Sequence, residues 1–359
     1  MSAGLRVYLE FVAFLFGATI GSFLNVCIHR MPREQSIVSP PSHCPHCGHG
    51  IGWRDNIPLF SYVFLRGRCR HCQARITPRY FLVELLTGTL FLLIVLKYDW
   101  QWVVPIYWIL LAGLVAATFI DFEHYIIPNE LTYGGVVLGF CFSFLFPGLQ
   151  HVATHSAAAL RSLVGLMTGG LTLFIVAELG KLAMGRLKMV LAPGTVVRIA
   201  EGTLQVGEEK MPWVEIFSRA SDRIRFQAIT LTFQDKVFNN VTVSISETVM
   251  DVDGTRFELS QIGPVEATTE LIIIPREAMG LGDAKLLAAI GAFMGGWAAL
   301  FSVFASSIAG GAVSIVLILA RKRDWQSRIP YGPYIALGAG IWIFYGQELV
   351  VWYRNLINR

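Results

Sequence analysis

The sequence predicts a polytopic α-helical membrane protein of about eight transmembrane helices, interrupted by a small cysteine-bearing loop domain and by a β-rich insertion. Three observations carry that prediction. Of the 359 residues, 54% are hydrophobic and only 15% charged, with a mean hydropathy of +0.55, whereas soluble domains carry roughly 25% charged residues. Uninterrupted apolar runs recur along the chain, and the charges concentrate between them. The net charge of +4 is too small and too scattered to argue for nucleic acid; the partner that composition implies is the lipid bilayer.

The apolar runs lie near residues 8–28, 81–96, 103–120, 133–148, 162–180, 283–296, 298–320 and 333–351. Spanning takes about 20 apolar residues, so the second, fourth and sixth are short and their bounds loose. The first run has only Arg6 ahead of it and no convincing small-residue cleavage site, so it reads as a retained span. Eight spans divide the basic residues unequally. One side receives Arg30, Arg33, Arg54, Arg66, Arg68, Arg70, Arg75 and Arg79, then Lys181, Arg186 and Lys188, then Arg321, Lys322, Arg323 and Arg328. The other has little beyond Arg6, Lys97, Arg161, Arg354 and Arg359. The positive-inside bias places the first set in the cytoplasm and both termini outside.

Residues 29–80, after the first span (1–28), form a cytoplasmic loop with four of the six cysteines, Cys44-Pro-His-Cys47 and Cys69-Arg-His-Cys72. Two C-x2-C knuckles, twenty-one residues apart, can supply four thiolates to a tetrahedral Zn site. Disulfides are the alternative, disfavoured in a reducing compartment. His43, His46, His49 and His71 could substitute, but four cysteines already fill the shell, so they read as solvated loop residues. Such a site would be structural, because a loop this small lacks the core to fold alone. Cys27 and Cys141 stand singly in apolar runs and read as buried hydrophobes.

Residues 190–272 break the membrane pattern, with twelve acidic and seven basic residues between Arg198 and Glu270. Runs rich in β-branched residues (Thr195–Ile199, Ile224–Phe233, Val241–Ile245, Glu270–Ile274) predict strands, with turns at Asn239-Asn240 and Asp253-Gly254. This segment is expected to be a cytoplasmic all-β insertion, either a docking or regulatory module or a spacer. It separates spans 2–5, within 81–189, from spans 6–8, within 273–359.

Two carboxylates stand at membrane boundaries. Asp121 ends the third run, before a turn at Pro128; Asp283 opens the sixth within Gly280-Leu281-Gly282-Asp283. The topology puts both at the cytoplasmic face, although it was assigned from Lys and Arg alone. Acids at such depth are costly and usually functional. Each has a plainer reading: Asp121 as an interfacial acid neutralised by a neighbour such as Lys285, Asp283 as a helix N-cap. As a pair they could activate water and polarise a carbonyl, which is aspartic proteolysis. Gly280 and Gly282 would allow the backbone to approach another element closely.

Further motifs surround these residues. Gly21-Ser-Phe-Leu-Asn25-Val, the two cysteine pairs with Asp55-Asn-Ile-Pro58 between them, Gly67-Arg-Cys-Arg70 and Arg79-Tyr-Phe-Leu-Val-Glu84 occur in that order. They are followed by Ile120-Asp121, Ile127-Pro128, Gly280–Lys285 and Tyr331-Gly-Pro-Tyr334. Together the motifs resemble type IV prepilin peptidases and cover most of the chain outside 190–272. The resemblance implies a bacterial inner-membrane aspartic endopeptidase. It would cut the basic leader from prepilins or pseudopilins of pilus assembly or type II secretion. Many such enzymes also methylate the new amino terminus with S-adenosylmethionine. Carried over by motif, the catalytic acids are Asp121 and Asp283, with Gly280 and Gly282 in the active-site loop and Cys44, Cys47, Cys69 and Cys72 as Zn ligands. Asn129 stands where the family often has an acid, which argues against catalysis at that position. No motif fixes a methyl-donor site, and oligomeric state is not legible. Two other readings remain: a carboxylate-based ion or proton transporter, and a non-enzymatic assembly scaffold. Neither aspartate lies at mid-span, which counts against the transporter.

Overall fold

The computed structural model describes residues 2–184, 186–200, 202–207, 209–217, 222–234, 236–275, 279–320 and 329–357. The basic residues Arg321, Lys322, Arg323 and Arg328, used in the topology argument, lie outside the described residues. The chain divides into two compact units, Met1–Phe174 with Leu281–Arg359, and Ile175–Gly280.

In chain order, the helices up to the insertion are α1 (Ala3–Arg30), the short α2 (Phe60–Phe64), α3 (Arg79–Tyr98), α4 (Val104–His124), α5 (Asn129–Leu145) and α6 (His155–Met184). Within the insertion come the single turns α7 (Trp213–Ile216) and α8 (Leu259–Ile262); after it come α9 (Leu281–Leu319) and α10 (Gly332–Ile357). Among the described residues, six helices are long and apolar enough to cross a membrane: those beginning at Ala3, Arg79, Val104, His155, Leu281 and Gly332. The eight apolar runs map onto helices with two departures from the expected count. The run at 133–148 is α5, whose 17 residues give roughly 26 Å of helix, a little under a typical hydrocarbon core. The runs at 283–296 and 298–320 form one assigned helix of 39 residues, kinked at Gly295, whose φ of 81° and ψ of 173° are not helical.

That kink reverses the chain. Gly282 and Gly332 both lie against Ile127, and the Ser306 hydroxyl meets the Tyr331 hydroxyl at 2.6 Å. A straight helix would set residues 282 and 306 roughly 36 Å apart, too far for both to reach neighbours at one level. Only glycine adopts the Gly295 backbone conformation readily. The helix broken there leaves carbonyl groups without intrahelical partners, and buried side chains supply them. Ser143 and Ser162 donate to the Ala292 carbonyl at 2.9 and 2.8 Å. Gln150 donates to the Ala292 and Phe293 carbonyls at 3.0 and 3.2 Å.

Close helix packing sets the frame. α6 meets the first half of α9 backbone to backbone, at Gly165 against Gly291 and Gly169 against Leu287. Leu24 and Ile28 of α1, Val83 of α3 and Val115, Ala116 and Ile120 of α4 form one buried cluster. That cluster anchors the last turn of α4.

The second unit is a sheet of ten strands: β1 (Arg186–Val190), β2 (Val196–Ala200), β3 (Thr203–Val206), β4 (Glu209–Pro212), β5 (Ile224–Phe233), β6 (Lys236–Ile245), β7 (Val249–Val252), β8 (Thr255–Glu258), β9 (Val265–Thr268) and β10 (Leu271–Pro275). The order is β4-β3-β2-β9-β5-β6-β7-β8, with β10 also pairing β5 and β1 pairing β10. Alternate residues of the strands, among them Val197, Phe226, Val243 and Ile272, build its own hydrophobic core. Asp253-Gly254 turns between β7 and β8 as expected. Asn239-Asn240 does not turn. Asn239 pairs with Thr230 inside the β5–β6 ladder, and Asn240 takes a left-handed φ of 55°. Opposite it, the inward-facing alternation of β5 changes phase at Ile229–Thr230. Asn tolerates that conformation in a strand as it does in a turn, so the dipeptide alone does not separate the two.

Candidate active site

Asp121 stands on the last turn of α4, just after the fully buried Ile120. The helix ends there because Tyr125 takes a left-handed φ of 56° and returns its N–H to the Asp121 carbonyl at 3.0 Å; Pro128 then directs the chain into α5. The Asp121 side chain is 5% exposed, and its Oδ2 accepts the backbone N–H of Gly332 at 2.9 Å. Asp283 lies in the first turn of α9, 8% exposed, and its Oδ1 has no hydrogen-bond partner. The two carboxyl groups, 162 positions apart in sequence, are close enough for their charges to interact directly.

Ile127 sets the spacing. Its side chain fills the gap between Gly282 and Gly332, where a Cβ would stand 3.2 Å and 3.1 Å from it. The loop after α4 and the beginnings of α9 and α10 therefore converge on the pair. Gly282 serves by close approach rather than by special backbone angles, since its φ lies outside the left-handed region. Gly280 is exposed, just ahead of α9.

The plainer readings of both aspartates do not fit this geometry. Lys285 donates to the Asn129 Oδ1 at 2.8 Å and lies over the Tyr133 ring, so its charge is not committed to Asp121. Asp283 lies inside α9 rather than ahead of it, with one oxygen unsatisfied, which is not the geometry of an N-cap. A buried, unpartnered carboxylate oxygen is costly and calls for a functional explanation. Two buried carboxyls within reach of each other's charge can activate a water, one taking its proton while the other donates to a carbonyl oxygen.

The four cysteines also come together. Their Sγ atoms lie within 4.8 Å of one another, and the Cys44–Cys72 separation of 3.8 Å matches the roughly 3.8 Å edge of a tetrahedron with Zn–S bonds near 2.3 Å. Each pair sits on a tight knuckle closed in the same way. Cys44 N–H donates to the His49 carbonyl and Gly48 N–H to the Cys44 carbonyl, both at 2.9 Å; Cys69 N–H donates to the Ala74 carbonyl at 2.9 Å and Gln73 N–H to the Cys69 carbonyl at 3.0 Å. The backbone N–H groups of Cys72 and His71 pull the Cys69 thiol down to about 7, toward the thiolate that a metal requires. His43, His46, His49 and His71 are exposed. Arg70 grips Asp55 through three contacts of 2.6–3.1 Å and ties the second knuckle to the intervening segment.

A cavity of about 770 Å³ lies between the end of α1, α2, the start of α3 and the two knuckles. Arg33, Tyr62, Tyr80 and Glu84 line it, and it reaches Glu123, two residues beyond Asp121. Glu84 is buried and accepts the Leu59 N–H at 2.7 Å; Glu123 is ion-paired with Arg79. Sequence reasoning did not single out Gln150 or the Gly332 N–H, and Ile127 entered only within the motif Ile127-Pro128, without a role. The only signal for the Gly332 N–H was Tyr331-Gly332-Pro333, which entered as part of a resemblance without a role.

The profile described as Bacterial Peptidase A24 N-terminal domain matches residues 15–98, and that described as Type IV leader peptidase family matches 108–206 and 256–315. The chain is similar to the prepilin leader peptidase/N-methyltransferase of Aeromonas hydrophila, at 28% identity over 95% of this chain and 92% of the relative. The corresponding protein of Pseudomonas aeruginosa is 26% identical over 93% and 90%, and that of Dichelobacter nodosus 35% identical over 48% and 67%. No solved structure matches. The motifs, the converging aspartates and these full-length similarities agree: the chain belongs to the type IV leader peptidase family.

Proposed function

We propose that this multi-pass membrane protein is an aspartic endopeptidase that removes the leader of type IV prepilins or pseudopilins, with Asp121 and Asp283 as its catalytic acids. The observation that carries the reading is the meeting of these two buried carboxyls, drawn from segments on either side of the β insertion. In the proposed reaction the pair shares one proton and holds a water molecule. The ionised member takes a proton from the water as its oxygen attacks the scissile carbonyl carbon. The protonated member donates to the carbonyl oxygen. Collapse of the tetrahedral intermediate breaks the C–N bond: the leaving nitrogen takes the proton removed from the water, and the other carboxyl recovers its own from the former carbonyl oxygen. Neither a metal nor a covalent enzyme intermediate enters these steps.

The proposed topology has eight crossings: α1, α3, α4, α5, α6, the two halves of α9, and α10. The Lys and Arg distribution orients both termini outside and the dyad at the cytoplasmic face of the inner membrane. Cys44, Cys47, Cys69 and Cys72 would hold a structural Zn ion that ties two otherwise coreless loops together.

Methylation of the new amino terminus is carried over from the names of the relatives. S-adenosylmethionine would supply an electrophilic methyl group to the deprotonated amine. The cavity of about 770 Å³ falls in the usual range of ligand pockets, and the buried Glu84 carboxylate with the Tyr62 and Tyr80 rings offers the polar and stacking groups that a nucleoside needs.

The test is cleavage of a purified prepilin by the detergent-solubilised protein, read by mass spectrometry with and without S-adenosylmethionine. Asp121→Asn and Asp283→Asn, at unchanged membrane levels, are expected to abolish leader removal. Full cleavage by either variant would overturn the assignment.

A further inference from the structure

The turn ahead of α10 carries a motif to which the reaction above gives no part. Tyr331 and Gly332 immediately precede Pro333, so the amide of Gly332 is an orphan first-turn donor of the helix, and the next residue has none. That N–H goes to Asp121 Oδ2. Meanwhile the Tyr331 carbonyl accepts the N–H groups of Tyr334 and Ile335 at 3.1 and 3.2 Å, which fixes where the helix begins.

The Tyr331 side chain points the other way, onto the second half of α9. Its hydroxyl lies 2.6 Å from Ser306 Oγ and 3.1 Å from Ser307 Oγ. Both serine hydroxyls also lie 2.8 Å from the Val303 carbonyl oxygen. Either oxygen of each tyrosine–serine pair can be the donor, and whichever way the protons point the contacts tie the tyrosine hydroxyl to the second half of α9. One residue is thus clamped at both ends: its ring hydroxyl to α9, its carbonyl to the first turn of α10. The next peptide N–H is held against Asp121. There is no slack on the Asp121 side, where a Cβ on Gly332 would stand 2.9 Å from Oδ2.

We infer that Tyr331 is a positioning residue for leader cleavage: bonded to Ser306 and Ser307, it holds the Gly332 amide that orients the Asp121 carboxylate. Tyr331 does not touch the reacting atoms. It acts through a backbone donor, as preorganised amides do where a carboxylate must be held in one rotamer. This rests on the assignment of Asp121 to the reaction, and Asp121→Asn belongs in the same experiment. If that variant cleaves fully, the reading of the dyad falls, whatever Tyr331 does.

Gly332→Ala is the direct perturbation, but its methyl group could prevent folding. Tyr331→Phe keeps the ring and removes only the hydroxyl. Steady-state cleavage of a prepilin by purified Tyr331→Phe is expected to show kcat reduced about tenfold, equivalent to about 1.4 kcal/mol. KM should stay within about twofold and the thermal midpoint in detergent should be unchanged. The double variant Ser306→Ala, Ser307→Ala should show a similar loss. Adding Tyr331→Phe to it should cost nothing further, because one interaction has been removed from both sides. Wild-type kcat in Tyr331→Phe would overturn the inference. So would a loss that follows the thermal midpoint, or losses that multiply when the variants are combined.

Discussion

Gly165→Ala tests how tightly the position of Asp283 depends on helix packing. A Cβ on Gly165 would stand 2.1 Å from the Gly291 carbonyl oxygen, and one on Gly169 2.4 Å from that of Leu287. Carbon–oxygen contacts between packed backbones settle near 3.3 Å, so the methyl group of Gly165→Ala forces α6 and α9 apart by roughly 1.2 Å. Overpacking of this kind costs about 1–3 kcal/mol. The functional effect should be larger than the stability cost suggests. Asp283 rides on the same half of α9, eight residues and roughly 12 Å before the contact, and a displacement near 1 Å at reacting groups can cost about a hundredfold in rate. Gly170 provides the control on the next residue, since its Cβ would meet Ala288 at an ordinary 3.4 Å. Prepilin cleavage by the purified variants, normalised to membrane level, is the assay. Gly165→Ala should fall by one to two orders of magnitude, and Gly170→Ala should stay within about twofold of wild type. Equal rates in the two variants would refute the reasoning that backbone contact between these helices sets the dyad.

Three further outcomes are expected. Gln150→Leu removes donors to the Ala292 and Phe293 carbonyls inside the bundle and should lower stability by about 2 kcal/mol, read as a reduced thermal midpoint in detergent. Cys44→Ser or Cys69→Ser should abolish zinc in the purified protein, measured by elemental analysis, and expose residues 29–78 to protease. Arg70 holds the Asp55 carboxyl below its ordinary range, so this pair contributes its stability above about pH 4 and loses it as pH falls through the depressed value. Hydrogen exchange over residues 52–76 should therefore be slower in wild type than in Asp55→Asn at neutral pH, and the difference should close only in strong acid.

Most of the architecture was legible because its causes are local. Long apolar runs became α1, α4, α6 and α10, and the shorter run at 81–96 became α3, since a backbone surrounded by hydrocarbon must satisfy its own hydrogen bonds. Alternating β-branched residues marked β2, β5, β6 and β10 for the analogous reason. C-x2-C spacing announced the cysteine cluster because the ligand geometry is set within four residues. What failed to show was non-local or backbone-borne. The amide of Gly332 looks like any other amide, and nothing near it in sequence names Asp121, 211 positions away. Gln150 carried no signal in the sequence. Its importance depends on a broken helix end that forms 142 positions later. Even the break was only half visible, as a gap at residue 297 between two apolar runs, where the structure has a single assigned helix kinked at Gly295.

The insertion enters and leaves through the antiparallel pair β1 and β10, in which Arg186 stands opposite Pro275. Its entrance and exit are therefore neighbours across one ladder, whatever lies between them. A chain that departs and returns at nearly one point can lengthen, shorten or lose the intervening strands, and the helices before and after need no rerouting. The family profile breaks off at residue 206 and resumes at 256, inside this unit, as expected for a segment free to vary. The same geometry makes the site a natural port for engineering. A reporter domain whose own termini lie close together could replace residues between β1 and β10, and leader cleavage would report whether the membrane enzyme notices the exchange.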